Sequence, residues 1–86
     1  MLTVNSDVVF RDEAELGGIL FDPERGVTFG LNQIGKDIWG MLVDGRTPEE
    51  ICAKIREEYS DAPADLEDDV HAFLQDLQAK GFLLEV

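Results

Sequence analysis

The stretch Gly26-Val27-Thr28-Phe29-Gly30-Leu31-Asn32 leaves a folding chain few choices. Its apolar residues Val27, Phe29 and Leu31 recur at every second position, the period of a strand packed on one face, while Thr28 and Gly30 fall on the other side. Asn32 follows at once and is a good helix N-cap, so strand must run into helix with no loop between. Upstream, Asp22-Pro23-Glu24-Arg25-Gly26 reads as a turn: Asp can bond its own backbone, Pro presets φ, and Gly tolerates a left-handed position. Before it, Gly17-Gly18-Ile19-Leu20-Phe21 reads as a strand entered through glycines that permit a bulge or a close backbone approach. The two strands form an antiparallel hairpin, and the second is expected at the open edge of its sheet. An open edge presents unpaired N–H and C=O groups that a further extended segment can pair with.

The remaining elements follow from periodicity and caps. Asp7 to Arg11 is a β-branched and aromatic run, a first strand, and Asp12-Glu13-Ala14-Glu15 a polar connection. After Asn32 the first helix carries Ile34, Ile38 and Leu42 on one stripe with Trp39 and Met41 beside it, and ends at Asp44-Gly45. Gly35 and Gly40 inside it suggest close packing against a neighbour. Thr47-Pro48-Glu49-Glu50 is a capping box with proline at the first helical position. It starts a second helix with Ile51, Cys52, Ile55 and Tyr59 inward. Ser60-Asp61-Ala62-Pro63 breaks it, and a third helix runs through Leu66, Val70, Phe73, Leu74 and Leu77 to Lys80-Gly81. Phe82-Leu83-Leu84 packs back as an extended tail. These elements predict one α+β domain over residues 1–86: a three-stranded antiparallel sheet followed by three helices, winged helix-turn-helix-like.

Several function classes are disfavoured. The net charge is −12, and from Glu57 to Val86 nine acidic residues face a single basic one, Lys80. Phosphate backbones need Lys and Arg to displace counterions, so nucleic acid is not the expected partner. A basic peptide or basic protein patch is electrostatically favoured. No apolar run approaches the roughly 20 residues of a membrane span, and Met1 to Asp7 lacks the basic and apolar regions of a secretory signal; the cytoplasm is the expected compartment. Cys52 is the only cysteine and His71 the only histidine, with no partner base at a suggestive spacing, so Cys52 reads as core and His71 as surface. The acidic run Asp65, Glu67, Asp68, Asp69 lacks the alternating ligands and central glycine of a calcium loop and suits the start of a helix dipole. The expectation is a protein with no catalytic residues, no metal and no cofactor.

The ordered combination Leu31-Asn32, Ile38-Trp39, Asp44-Gly45, Thr47-Pro48-Glu49-Glu50-Ile51, Asp69-Val70, Phe73-Leu74 and Gly81-Phe82-Leu83 resembles the PqqD family over about Val8 to Leu84. The resemblance implies a recognition element for ribosomally made, post-translationally modified peptides, which binds the leader of a precursor and delivers it to processing enzymes. It is similar both to the leader-binding half of a split lasso-peptide B protein, which works with a leader peptidase and a cyclase, and to the coenzyme-pathway peptide chaperone that serves a radical enzyme. The lasso assignment is favoured because a minimal acidic domain suits a pathway with separate peptidase and cyclase. The resemblance also implies a site: the leader adds antiparallel to Val27, Thr28, Phe29, Gly30 and Leu31, its apolar side chains entering a groove against the third helix. Groove-facing residues would come from Asp69, Val70, Ala72, Phe73, Asp76 and Leu77, with Asp69 or Asp76 available to a basic leader residue; Phe73 and Leu77 also suit plain core, the safer reading for Leu77. A proline at Phe29 is accordingly expected to remove an N–H from the pairing edge. From another class, an acidic carrier protein matches size and charge; Ser6-Asp7-Val8 and Ser60-Asp61-Ala62 are its only candidates for the prosthetic serine.

Overall fold

The computed structural model describes residues 2–85. The strands are β1 (Leu2–Val4), β2 (Val9–Asp12), β3 (Gly18–Asp22), β4 (Val27–Leu31) and β5 (Leu83–Glu85), and the helices α1 (Gln33–Val43), α2 (Pro48–Glu58) and α3 (Leu66–Ala79). β2, β3 and β4 form the expected antiparallel sheet in that spatial order, which leaves β4 at an edge. The expected order of three strands, three helices and a tail is incomplete. Leu2–Val4 is a strand, and the tail is its antiparallel partner, with Val4 opposite Leu83. The reason is burial: Leu83 is 1% exposed, and the half-buried Leu2 and Val4 pack against the same core. Asn5 fastens this ribbon to the corner after α3, donating from its backbone to the Phe82 carbonyl and from its side chain to that of Gly81, both at 3.0 Å. The connection after β2 is also more structured than expected, with a single turn of 3₁₀ helix at Ala14–Leu16.

Local chemistry fixes the element ends. Asp22 accepts from Glu24 N at 3.0 Å and Arg25 N at 3.3 Å, closing the β3–β4 turn. Asn32 Oδ1 accepts from Gly35 N at 2.8 Å, so α1 starts directly at the end of β4. In the capping box, Thr47 Oγ1 accepts from Glu50 N and Thr47 N donates to Glu50 Oε1. Both α1 and α3 end in a glycine at positive φ, Gly45 and Gly81. Around Gly81, Phe82 N donates to Leu77 O and Gly81 N to Gln78 O, the paired bonds of a Schellman motif.

The core lies between the inner sheet face and the helices: Leu20 and Leu31 meet Ile38, Trp39 and Leu42 of α1, Ile51 and Ile55 of α2, and Val70, Leu74 and Leu77 of α3, with Phe82 fully enclosed. Gly17 has φ 97°, and a Cβ there would fall 1.9 Å from the Leu31 carbonyl oxygen, so this glycine lets β3 begin against the β4–α1 junction. Gly35 is buried as expected and a Cβ there would meet Leu31 and Asn32, but the Cβ position of Gly40 faces open space. Gly40 therefore has no packing role.

Candidate functional site

The free edge of β4 has a definite register. The Gly17 carbonyl accepts from Glu13 N at 3.0 Å on the β2 side. Across the planar trans peptide, Gly18 N–H points the opposite way, towards β4. Alternation then directs the backbone groups of Gly18, Leu20 and Asp22 to β4, where their partners are Leu31, Phe29 and Val27. The Leu31 carbonyl lying against Gly17 and the Asp22 carbonyl accepting from Gly26 N agree with this. Val27, Phe29 and Leu31 thus turn their N–H and C=O groups into the sheet, and Thr28 and Gly30 turn theirs outward. The expectation for a proline at Phe29 is corrected on this ground, because its N–H belongs to the β3 ladder.

Beside this edge runs an open groove of about 420 Å³, lined from β4 by Phe29 and Gly30, from the start of α1 by Asn32, Ile34, Gly35 and Ile38, and across from them by Pro63, Leu66, Asp69, Val70 and Phe73. Leu66, Asp69, Val70 and Phe73 share one face of α3, spaced three and four apart. Phe29 projects from β4 between two rings, edge-on to Phe73 with centroids 6.0 Å apart and to Phe82 at 5.9 Å. Lys80 Nζ lies 5.4 Å from the centre of the Phe29 ring. The Arg25 guanidinium donates to the Lys80 carbonyl at 3.2 Å, which ties the β3–β4 turn to the end of α3. The strand and the helix are thereby held at a set separation at one end.

The residues nominated from sequence divide. Phe29, Gly30, Asp69, Val70 and Phe73 line the groove. Thr28 is exposed on the outer sheet face, Val27 half-buried, and Leu31 is in the core at 4% exposure. Ala72, Asp76 and Leu77 are not among the lining residues. Ala72 is exposed, Leu77 is wholly buried in the core, and Asp76 lies one turn before Lys80 and pairs with it at 3.6 Å. Missed altogether were Asn32, Ile34, Gly35, Ile38, Pro63 and Leu66. By periodicity Ile34 belongs to the core stripe of α1, yet it is 38% exposed and lines the groove. A signal existed: an apolar residue two places after an N-cap that directly ends an edge strand has sheet on one side only.

Among the described residues that line the groove, Asp69, at the rim, is the one with an ionisable side chain. Cys52 is buried away from it, and burial pushes its thiol up, which disfavours the nucleophilic thiolate. His71 is exposed. Among the described residues no group of His, Cys, Asp and Glu is placed to hold a metal ion, and no helix is long and apolar enough to cross a membrane. Glu67, Asp68, Asp69 and Asp76 are exposed on α3, leaving an acidic surface where a DNA-reading helix needs a basic one. Ser60 lies in the turn after α2, six residues before α3 begins, not at a helix start as a carrier serine would.

Comparison with known proteins adds three findings. Residues 17–83 match the family model of coenzyme PQQ synthesis protein D, PqqD. The solved structure of TbiB1 in complex with the TbiA(beta) leader peptide is 32% identical and superposes with a TM-score of 0.85, covering 98% of this chain and 96% of that one. A lasso peptide synthetase B1 complexed with the leader peptide has the same fold at 24% identity, with a TM-score of 0.83 and 98% of both chains covered. A search of curated protein sequences returns no match.

Proposed function

From the premise that the chain belongs to the PqqD family, we propose that it binds the leader segment of a ribosomally made precursor peptide and presents it to the enzymes of lasso-peptide biosynthesis. The observation that carries this reading is the outward-facing backbone of Thr28 and Gly30 beside an apolar groove, in a chain similar over nearly its whole length to TbiB1, whose structure holds a leader peptide.

An extended leader pairs antiparallel with β4, exchanging backbone hydrogen bonds with Thr28 and Gly30. Side chains of the leader residues opposite Phe29 and Leu31 project to the face those residues occupy, into the groove against Leu66, Val70 and Phe73. Asp69 at the rim faces a basic leader residue, and the charge of −12 speeds encounter with a basic segment. The domain acts by holding the leader while a separate leader peptidase and cyclase act on the precursor, in the cytoplasm. The family description favours one alternative, a chaperone for the substrate peptide of a coenzyme-pathway enzyme. Pull-down with the enzymes encoded beside its gene distinguishes the two: a peptidase and a cyclase for the first, a radical enzyme for the second.

Titration of the protein into fluorescently labelled precursor leader, followed by anisotropy, tests the core claim. A saturable rise at micromolar protein is expected. A flat signal with folded protein refutes leader binding.

A further inference from the structure

A strand added to β4 must place every second side chain on the outer face of the sheet, the face away from the helices. That face is unusually apolar for one open to solvent. Val9 is 52% and Phe21 38% exposed, and these two are directly paired across β2 and β3, while Ile19 beside them is half-buried. The register continues both rows to the edge: Val9, Phe21 and Thr28 form one, and Arg11, Ile19 and Gly30 the other. The second row has a gap at its end, since Gly30 has no side chain and nothing lies within 4 Å of where its Cβ would be. Ile19 is therefore uncovered from the edge. A residue paired with Gly30 stands two strand spacings from Ile19, about 9.6 Å, within reach of a long or aromatic side chain laid flat across the glycine, as aromatic residues cover glycine in designed sheets.

Resting on the leader-binding reading above, we propose that the leader is read on both faces of the extended sheet: the residue that pairs with Gly30 is a bulky apolar or aromatic one that lies across Gly30 onto Ile19, between the two residues that enter the groove. The ligand class is thereby narrowed to an extended segment with three consecutive large side chains, groove, outer face, groove, in place of the simple alternation that a one-faced site selects. It also accounts for glycine at a strand position where φ is not positive, where crowding does not demand it, and where its cost to strand stability is otherwise unexplained.

The test is selection from a displayed library of random peptides by the wild-type protein and three variants, each checked by thermal melting. Ile34→Ser alters the groove without touching the outer face, and the peptide positions whose preference it abolishes are the groove-facing ones. Gly30→Val fills the gap on the outer face with a good strand former and is expected to melt at or above the wild-type temperature; Ile19→Ala removes the far wall without altering the edge. The expected result is enrichment of bulky residues between the two groove positions by wild type and its loss with Gly30→Val and with Ile19→Ala, the groove preferences remaining with Ile19→Ala, which alters neither the edge nor the groove lining. A peptide so selected should bind Ile19→Ala roughly three- to ten-fold more weakly than wild type. Wild-type selection showing preferences only at the groove positions, unchanged by either outer-face variant, overturns the two-faced reading and leaves leader binding standing. No enrichment by wild type overturns leader binding itself.

Discussion

Replacing Thr28 by proline removes one N–H from the outward edge of β4 and none from the β3–β4 ladder, whose hydrogen bonds fall at Val27, Phe29 and Leu31. Proline is tolerated at such an edge position, and Thr28 is exposed, so the protein should stay folded. The bound leader loses one backbone hydrogen bond, worth about 1 kcal/mol net, and its unpaired carbonyl adds about 1 kcal/mol more where the groove wall shields it. About 2 kcal/mol corresponds to roughly thirty-fold weaker binding. Phe29→Pro is the contrasting variant. It breaks a ladder bond and removes the ring between Phe73 and Phe82, a loss of about 3–5 kcal/mol in a fold of typically 5–15 kcal/mol, so its main effect is a lower melting temperature. Anisotropy titration with labelled leader and thermal melting by circular dichroism read the two effects separately. If Thr28→Pro binds as tightly as wild type, or if Phe29→Pro melts no lower than Thr28→Pro, the assigned register is wrong.

Ile34→Ser, at 38% exposure, should weaken leader binding by about five-fold or more with little change in melting temperature, since it gives up apolar contact at the groove and little in the core; unaltered affinity by titration would remove Ile34 from the site. Val4→Asp places a carboxylate opposite Leu83 and should lower stability in urea by about 2 kcal/mol; an unchanged urea midpoint would mean that the β1–β5 ribbon contributes nothing to the fold. Acid should destabilise the protein through carboxylates held ionised in the native state. The Thr47 backbone N–H holds the Glu50 carboxyl below its usual 4.5, a bond to its own backbone N–H and then Arg56 do so for Glu67, and Lys36 holds Asp12 below 3.8. Because these native values are depressed, their contribution is complete above the ordinary values and is lost as pH falls through the depressed ones. The melting temperature of Glu50→Gln should accordingly fall less steeply than that of wild type below pH 4.5, and superimposable curves would refute the assignment.

How much was legible beforehand depended on the reach of each signal. The Asp22 turn, the Asn32 cap, the Thr47–Glu50 box and the Gly81 terminus each lie within a few residues of chain, and each appears in the structure where the sequence placed it. Leu2–Val4 carried no comparable signal, because a three-residue strand has meaning only beside its partner, which lies at the far end of the chain. The apolar stripe of α3 was visible, and core was already the safer reading of Leu77, but helical phase did not fix which side of the stripe faces the groove. Packing put Leu77 in the core and Phe73 on the groove. Ile34 was misassigned for the same reason: periodicity marks a residue as apolar without saying which of two apolar surroundings it meets.

Alternation from Val27 to Leu31 and the cap at Asn32 by themselves determined a strand delivered straight into a helix, since backbone sterics and local hydrogen bonds act over a few residues whatever the rest of the chain does. Only the tertiary structure decided that Thr28 and Gly30, and not Phe29, hold the outward hydrogen-bonding groups, and that Ile34 and Leu66 complete the groove. Those outcomes depend on which neighbour each strand accepts and how far apart packed elements come to rest, and such distances are set by side chains remote in sequence.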